Sequence, residues 1–173
     1  ETDRRINKWV ERLVGEFSHK GSFRPSHVRE NFDAICADFA SIPVHRVPKI
    51  RVGVVGEIYI KYAPLGNNNL EEFLLSEGCE PVVPGLTDFI IFKCDNRVED
   101  HLLYGGKTGT YLGASVLAKY VRRLQREMIA AVRKHPEFRV PCTFEHLKSL
   151  VKGYLGYGNK MGEGWLLTGE MLE

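Results

Sequence analysis

The sequence contains no apolar run near the roughly 18 residues of a membrane span, and a membrane partner is therefore not expected. Its four cysteines, Cys36, Cys79, Cys94 and Cys142, form no CxxC pair. That spacing argues against a zinc site or a disulfide framework and suits reduced thiols in a cytoplasmic protein. Six histidines are scattered without an i, i+4 pair, so they offer no helical metal site. Neither charge sign dominates: 24 basic residues against 22 acidic ones leave +2, which gives no reason to expect nucleic acid. No internal repeat or low-complexity tract is visible. No signal-peptide pattern opens the chain, which starts on charged residues without Met. It closes on a helical pattern, residues 165–173, without a Gly or Pro stop. Both ends are those expected of a segment of a larger protein.

What is present is ordinary globular composition. Over 173 residues, 43% are hydrophobic and 27% charged, enough for one domain with a helical attachment. Ile6, Val10, Leu13, Val14 and Phe17 recur at helical spacing, opposite a face of Arg, Lys and Glu. After Pro25 and Ser26, Val28, Phe32, Ile35 and Phe39 repeat the pattern. Pro43 and Pro48 close this region, so residues 1–47 read as a helical hairpin and connector packed on the rest of the chain.

Residues 48–173 read as a partial α/β domain. The β-branched stretch 49–57 is a short strand buried on at least one face. A loop over 58–66 and the triplet Asn67, Asn68 and Asn69 precede Leu70, Phe73, Leu74 and Leu75, a short helix ending at Gly78. Asn suits an N-cap, and Glu71 and Glu72 suit a first turn. Residues 80–84 form a second strand. Strand, helix, strand is a βαβ unit, so the strands should be parallel. The run 89–92 is ambiguous between strand and helix. Residues 110–135 carry the longest apolar stripe, Leu112 to Val132, and a shorter helix spans 144–151. Residues 152–164 are Gly-rich, with Tyr154, Tyr157 and Trp165 suggesting order against a neighbour.

Gly105-Gly-Lys-Thr108 lacks the first Gly of a phosphate loop, for His101 stands there, and it reads as a turn before the long helix. Lys119, Arg122, Arg123, Arg126, Arg133 and Lys134 have no aromatic platform beside them and read as a solvated face. The richest stretch is Gly56-Glu-Ile-Tyr-Ile-Lys-Tyr-Ala-Pro-Leu-Gly-Asn-Asn-Asn69. It comes after the carboxyl end of the first strand, the edge at which open α/β sheets bind ligands. Glu57, Tyr59, Lys61, Tyr62, Asn67, Asn68 and Asn69 are therefore candidate substrate- or partner-binding residues. An anion would sit at the helix start, with Lys61 adding charge and Glu57 opposing it. The alternative is that one Asn caps the helix and the others solvate a connection. No residue is a catalytic or metal-ligand candidate.

Three stretches together resemble a known family. They are Lys49-Ile-Arg-Val-Gly-Val-Val-Gly-Glu-Ile-Tyr59, its continuation over 61–84, and Gly156-Tyr-Gly-Asn-Lys-Met-Gly-Glu-Gly-Trp-Leu-Leu-Thr-Gly-Glu170. They look like the dehydratase-like module of the CoA-substrate-specific enzyme activases related to 2-hydroxyglutaryl-CoA dehydratase. The resemblance covers about two thirds of the chain, from Pro48 onward. It implies an incomplete flavodoxin-like parallel sheet in a helix-rich α/β fold, joined to the N-terminal hairpin and the long helix. It also implies a role in ATP-driven iron–sulfur electron transfer on acyl-CoA-type substrates, with the remainder of a parent chain and an activase module as partners. The cluster and ATP are expected in that parent or its partner and no cofactor in this segment. Nothing here resembles the ATP-binding segments, and Pro84-Gly-Leu-Thr-Asp88 lacks a ligand Cys after the second strand. Two other roles are a non-catalytic module docking an activase and an independent phosphate-ligand-binding α/β domain.

Overall fold

The computed structural model describes residues 1–19 and 23–173, and among them helices dominate. The link of the predicted hairpin at 20–22 lies outside the described residues. The chain divides into two compact units, residues 1–45 with 119–142 and residues 46–118 with 143–173. The sequence pattern places residues 119–142 in the α/β part, because one continuous apolar stripe gives no sign of a division inside a helix.

The first unit holds α1 (Thr2–Phe17) and α2 (Pro25–Ala40). Pro25 stands at the first helical position of α2, where its missing N–H costs nothing. The two helices form as expected, but α1 does not bury its apolar stripe. Ile6, Val10, Val14 and Phe17 are exposed, and Trp9, from the face between charged residues, is the buried side chain. The reason is polar as much as apolar. Trp9 Nε1 donates to Asp38 Oδ2 at 2.7 Å, Arg5 Nη1 donates to Asp38 Oδ1 at 2.7 Å, and the Arg12 guanidinium lies 4.8 Å from the Trp9 ring centre. A buried indole with a carboxylate on its N–H and a guanidinium on its face is a satisfied group. In the same unit Arg29 forks onto Glu127 and Lys134 onto Asp33.

The second unit carries a sheet of two parallel strands, β1 (Arg51–Gly53) and β2 (Glu80–Val82), in register Arg51 with Glu80, Val52 with Pro81 and Gly53 with Val82. The parallel pairing is as the sequence pattern predicts. The strands are shorter than the stretches 49–57 and 80–84, because Pro81 has no N–H to donate to the ladder and no third strand is paired among the described residues. Val54, just past β1, is buried and still donates its N–H to Val82 O at 2.9 Å.

Residues 58–66, expected as a loop, wind into α3 (Ile58–Tyr62) and, with Asn67, α4 (Pro64–Asn67). Glu57 Oε2 accepts the Tyr59 N–H at 2.8 Å and starts the first. Ala63 is extended, as a residue before proline prefers, and Pro64 opens the second. Asn68 and Asn69 both take left-handed backbone, φ 55° and 56°, a region Asn tolerates better than most residues. The connection then enters α5 (Leu70–Ser76).

The ambiguous run 89–92 is helical, inside α6 (Leu86–Tyr104). Helix α7 (Thr108–Val132) comes after the Gly105–Gly106 break, and α8 is Phe144–Leu150. A 3-10 turn at Asn159–Met161 and α9 (Gly164–Leu172) complete the chain. The core of this unit is Ile91 and Phe92 from α6, Phe144, Leu147 and Val151 from and beside α8, and Trp165 and Leu166 from α9. Trp165 is fully buried with its ring 5.3 Å from that of Phe92, 5.7 Å from Phe144 and 5.2 Å from Tyr157. Its indole N–H donates to Asn96 Oδ1 at 3.2 Å, so the one polar atom of the ring is paired. The Gly-rich segment is anchored by side chains: Asn159 donates from its backbone and its amide to the Asp100 carboxylate at 2.9 and 2.6 Å, and Tyr157 donates to Lys148 O at 3.0 Å. Gly158, at φ 96°, leaves room for that carboxylate: a Cβ there would stand 2.5 Å from Asp100 Oδ1. No helix among the described residues is long and apolar enough to cross a membrane.

Candidate functional site

The candidate site is the segment 56–69 at the carboxyl end of β1. Its central feature is Lys61, which the sequence offers as an added charge for an anion at the helix start. Lys61 is buried with its ammonium 2.8 Å and 3.0 Å from the two oxygens of Glu170 on α9, both side chains only 2–3% exposed. The Lys61 charge is thus committed to Glu170, 109 residues away, and not to Glu57 or to the helix start. Burial raises the Glu170 carboxyl above the ordinary carboxylate range, and its hydrogen bond to Lys61 works against that rise. Beside the pair, Tyr62 donates its hydroxyl to Pro84 O, and Lys61 Nζ lies 5.7 Å from the Tyr62 ring centre. Burial raises the Tyr62 phenol, with the charges of Glu170 and Asp88 acting in the same direction.

The other candidates divide by role. Glu57 caps α3. Tyr59 is exposed and its ring lies along Gly66, where a Cβ would come within 2.8 Å of Tyr59 Cε1. Asn67 turns inward: its amide donates to Ile60 O at 2.9 Å and its oxygen accepts the Leu70 N–H at 3.1 Å. It therefore satisfies the start of α5 from two residues ahead of Asn69, whose own side chain makes no cap bond. Asn68 is exposed at the left-handed turn. Tyr62, Asn67 and Asn69 come together with Pro64, Glu71 and Glu72 around a small open pocket of about 60 Å³. That volume holds a few waters.

Sequence reasoning missed Glu170, Glu71 and Glu72 as parts of this region. Glu71 and Glu72 were legible only as first-turn residues, and Glu170 lay in a distant stretch with no local cue. Two carboxylates in the lining make the pocket unwelcoming to phosphate, and α5 offers little dipole over seven residues.

The cluster implied by the resemblance finds no ligand set here. Cys36 and Cys142 belong to the first unit, and Cys79 and Cys94 to the second. Among the described residues no group of three or more His, Cys, Asp or Glu side chains could hold a metal ion. These thiols do not fit the four-thiolate ligand set of an iron–sulfur cluster. No family model, no curated protein and no solved structure matches this chain.

Proposed function

We propose that this chain is a dehydratase-like scaffold segment of a protein related to the CoA-ester dehydratases and their activases. In this reading it works within ATP-driven iron–sulfur electron transfer on acyl-CoA-type substrates, supplying support and a partner-facing surface, with cluster and ATP carried elsewhere in the parent or its partner. The observation that supports it is the Lys61–Glu170 pair. The two stretches that carry the resemblance, 49–84 and 156–170, are far apart in sequence yet share one buried ion pair and one compact unit.

Between substrate and partner, the chemistry of the surface favours a partner. Tyr59, Ile60 and Leu65 are exposed, Leu65 at 86%, and the pocket beside them is acidic. CoA phosphates would be repelled there, whereas an apolar patch with carboxylates at its edge suits a protein surface with basic residues. Docking of an activase by this loop is the form of the proposal that uses these residues. An independent phosphate-binding domain is opposed by Glu71 and Glu72.

The test is an anaerobic assay of the natural full-length protein with ATP, a low-potential reductant, the activase component of a 2-hydroxyglutaryl-CoA dehydratase system and 2-hydroxyglutaryl-CoA. ATP-dependent formation of the enoyl-CoA, with release of water, is expected. Absence of turnover together with absence of any activase complex would remove the family assignment.

A further inference from the structure

Buried charges are costly unless paired and fully hydrogen-bonded, and removing one partner of such a pair is strongly destabilising. Lys61 and Glu170 are such a pair. Their two backbones are anchored very differently. Glu170 sits on a clamped helix: Trp165 and Leu166 are buried one turn before it, and Gly169 lies so close to α8 that a Cβ would stand 2.9 Å from Leu147 O. Lys61 sits on a segment of two very short helices separated by an extended residue and followed by two left-handed asparagines. Helices of five and four residues have no intrinsic stability in water, and their geometry has to be imposed from outside. Side-chain hydrogen bonds tie this segment to residues beyond 70 at Lys61, on Glu170, and at Tyr62, on Pro84 O.

We infer that the Lys61–Glu170 pair is a positioning latch: it holds segment 56–69 in one conformation against α9, and loss of either charge releases that segment while α9 stays docked on α8. The latch goes beyond the proposed partner surface, because it concerns how that surface is held and stands whether or not an activase is the partner.

The experiment is hydrogen exchange followed by mass spectrometry on the full chain, comparing wild type with Glu170→Gln, Lys61→Met and the double variant Lys61→Met/Glu170→Met. In each single variant, amides of 57–69 are expected to exchange at least about tenfold faster, while peptides covering Phe144–Leu150 stay within about twofold of wild type. The double variant leaves no unpaired charge and keeps the apolar volume, so it secures a folded sample. There too, 57–69 should exchange several-fold faster than wild type, because methionines restore burial without direction. Wild-type exchange over 57–69 in the double variant overturns the latch, since burial alone would then fix the segment. Equal acceleration of 57–69 and Phe144–Leu150 in the single variants overturns it as well, since the pair would then belong to one cooperative unit.

Discussion

Gly169→Ala isolates the docking that places Glu170. In a helix interior this change is ordinarily favourable by about 0.8–1 kcal/mol, because alanine loses less backbone entropy than glycine. At this position the new Cβ would stand 2.9 Å from Leu147 O, where ordinary contact begins at 3.4 Å. The opposing atom is backbone, so no rotamer change relieves the clash, and α9 has to retreat from α8 by about 0.5 Å. A gap of that size forfeits roughly a quarter of the dispersion well of each contact it opens, and overpacking of this kind costs about 1–3 kcal/mol. Set against the propensity gain, the expected net loss is up to about 2 kcal/mol. Gly113 in α7 is the internal control. Its Cβ would meet nothing within 4 Å, so Gly113→Ala should stabilise by about 0.5–1 kcal/mol. The assay is urea unfolding followed by Trp165 fluorescence in a Trp9→Phe background, so that the signal comes from the second unit alone. Midpoints displaced in opposite directions are expected. A rise for both variants would show that α9 does not sit tightly on α8, and the reasoning about Glu170 would fail with it.

Lys61→Met should be destabilising, with release of segment 56–69 keeping the loss below the about 3–5 kcal/mol of a charge left buried and unpaired, and most of the loss should return in Lys61→Met/Glu170→Leu; a double-mutant cycle in urea measures it. Val54→Asp buries an unpaired charge beside β1 and should lower the thermal midpoint by well over the effect of Val54→Ala, as read by circular dichroism. Asn68→Ile places a β-branched residue at φ 55° and should cost about 1–2 kcal/mol, whereas Asn68→Gly should be neutral or slightly stabilising in the same denaturation assay. In the first unit, hydrogen bonds from Arg12 and Asn31 hold the Glu16 carboxyl at about 2, below its ordinary 4.5. A depressed carboxylate stabilises the fold above its unfolded value and loses that contribution as pH falls through the folded one. Wild type should therefore lose stability relative to Glu16→Gln between pH 4.5 and about 2, which an acid titration of the unfolding midpoint reads.

The βαβ unit was legible because its signals are local: β-branched residues at 49–57, an Asn cluster, two apolar turns and Gly78. The long helix was legible for the same reason, with its bounds at Thr108–Val132 a few residues from the expected 110–135. The helices α3 and α4 were hidden because the pattern over 58–66 is too short for a 3.6 period to register, although Glu57 as cap and Pro64 as a first helical residue were visible in hindsight. Trp9 was hidden because an indole can be buried through its N–H partner rather than through an apolar stripe. The burial of Lys61 was not legible because nothing near it in sequence shows that Glu170 will arrive beside it. Division of α7 between the two units leaves no mark on a continuous helix stripe.

The most direct measurement of the central claim, that segment 56–69 is a partner-facing surface for an activase, is the affinity of the full-length protein for the activase component by calorimetry, with Leu65→Asp compared with Leu102→Asp. Both leucines are highly exposed, at 86% and 65%, so neither change should disturb folding. The account predicts that Leu65→Asp weakens binding at least about tenfold and Leu102→Asp leaves it unchanged, as expected when a charge enters an apolar contact on one surface only. Undiminished binding by Leu65→Asp, or no binding by the wild type, would contradict it.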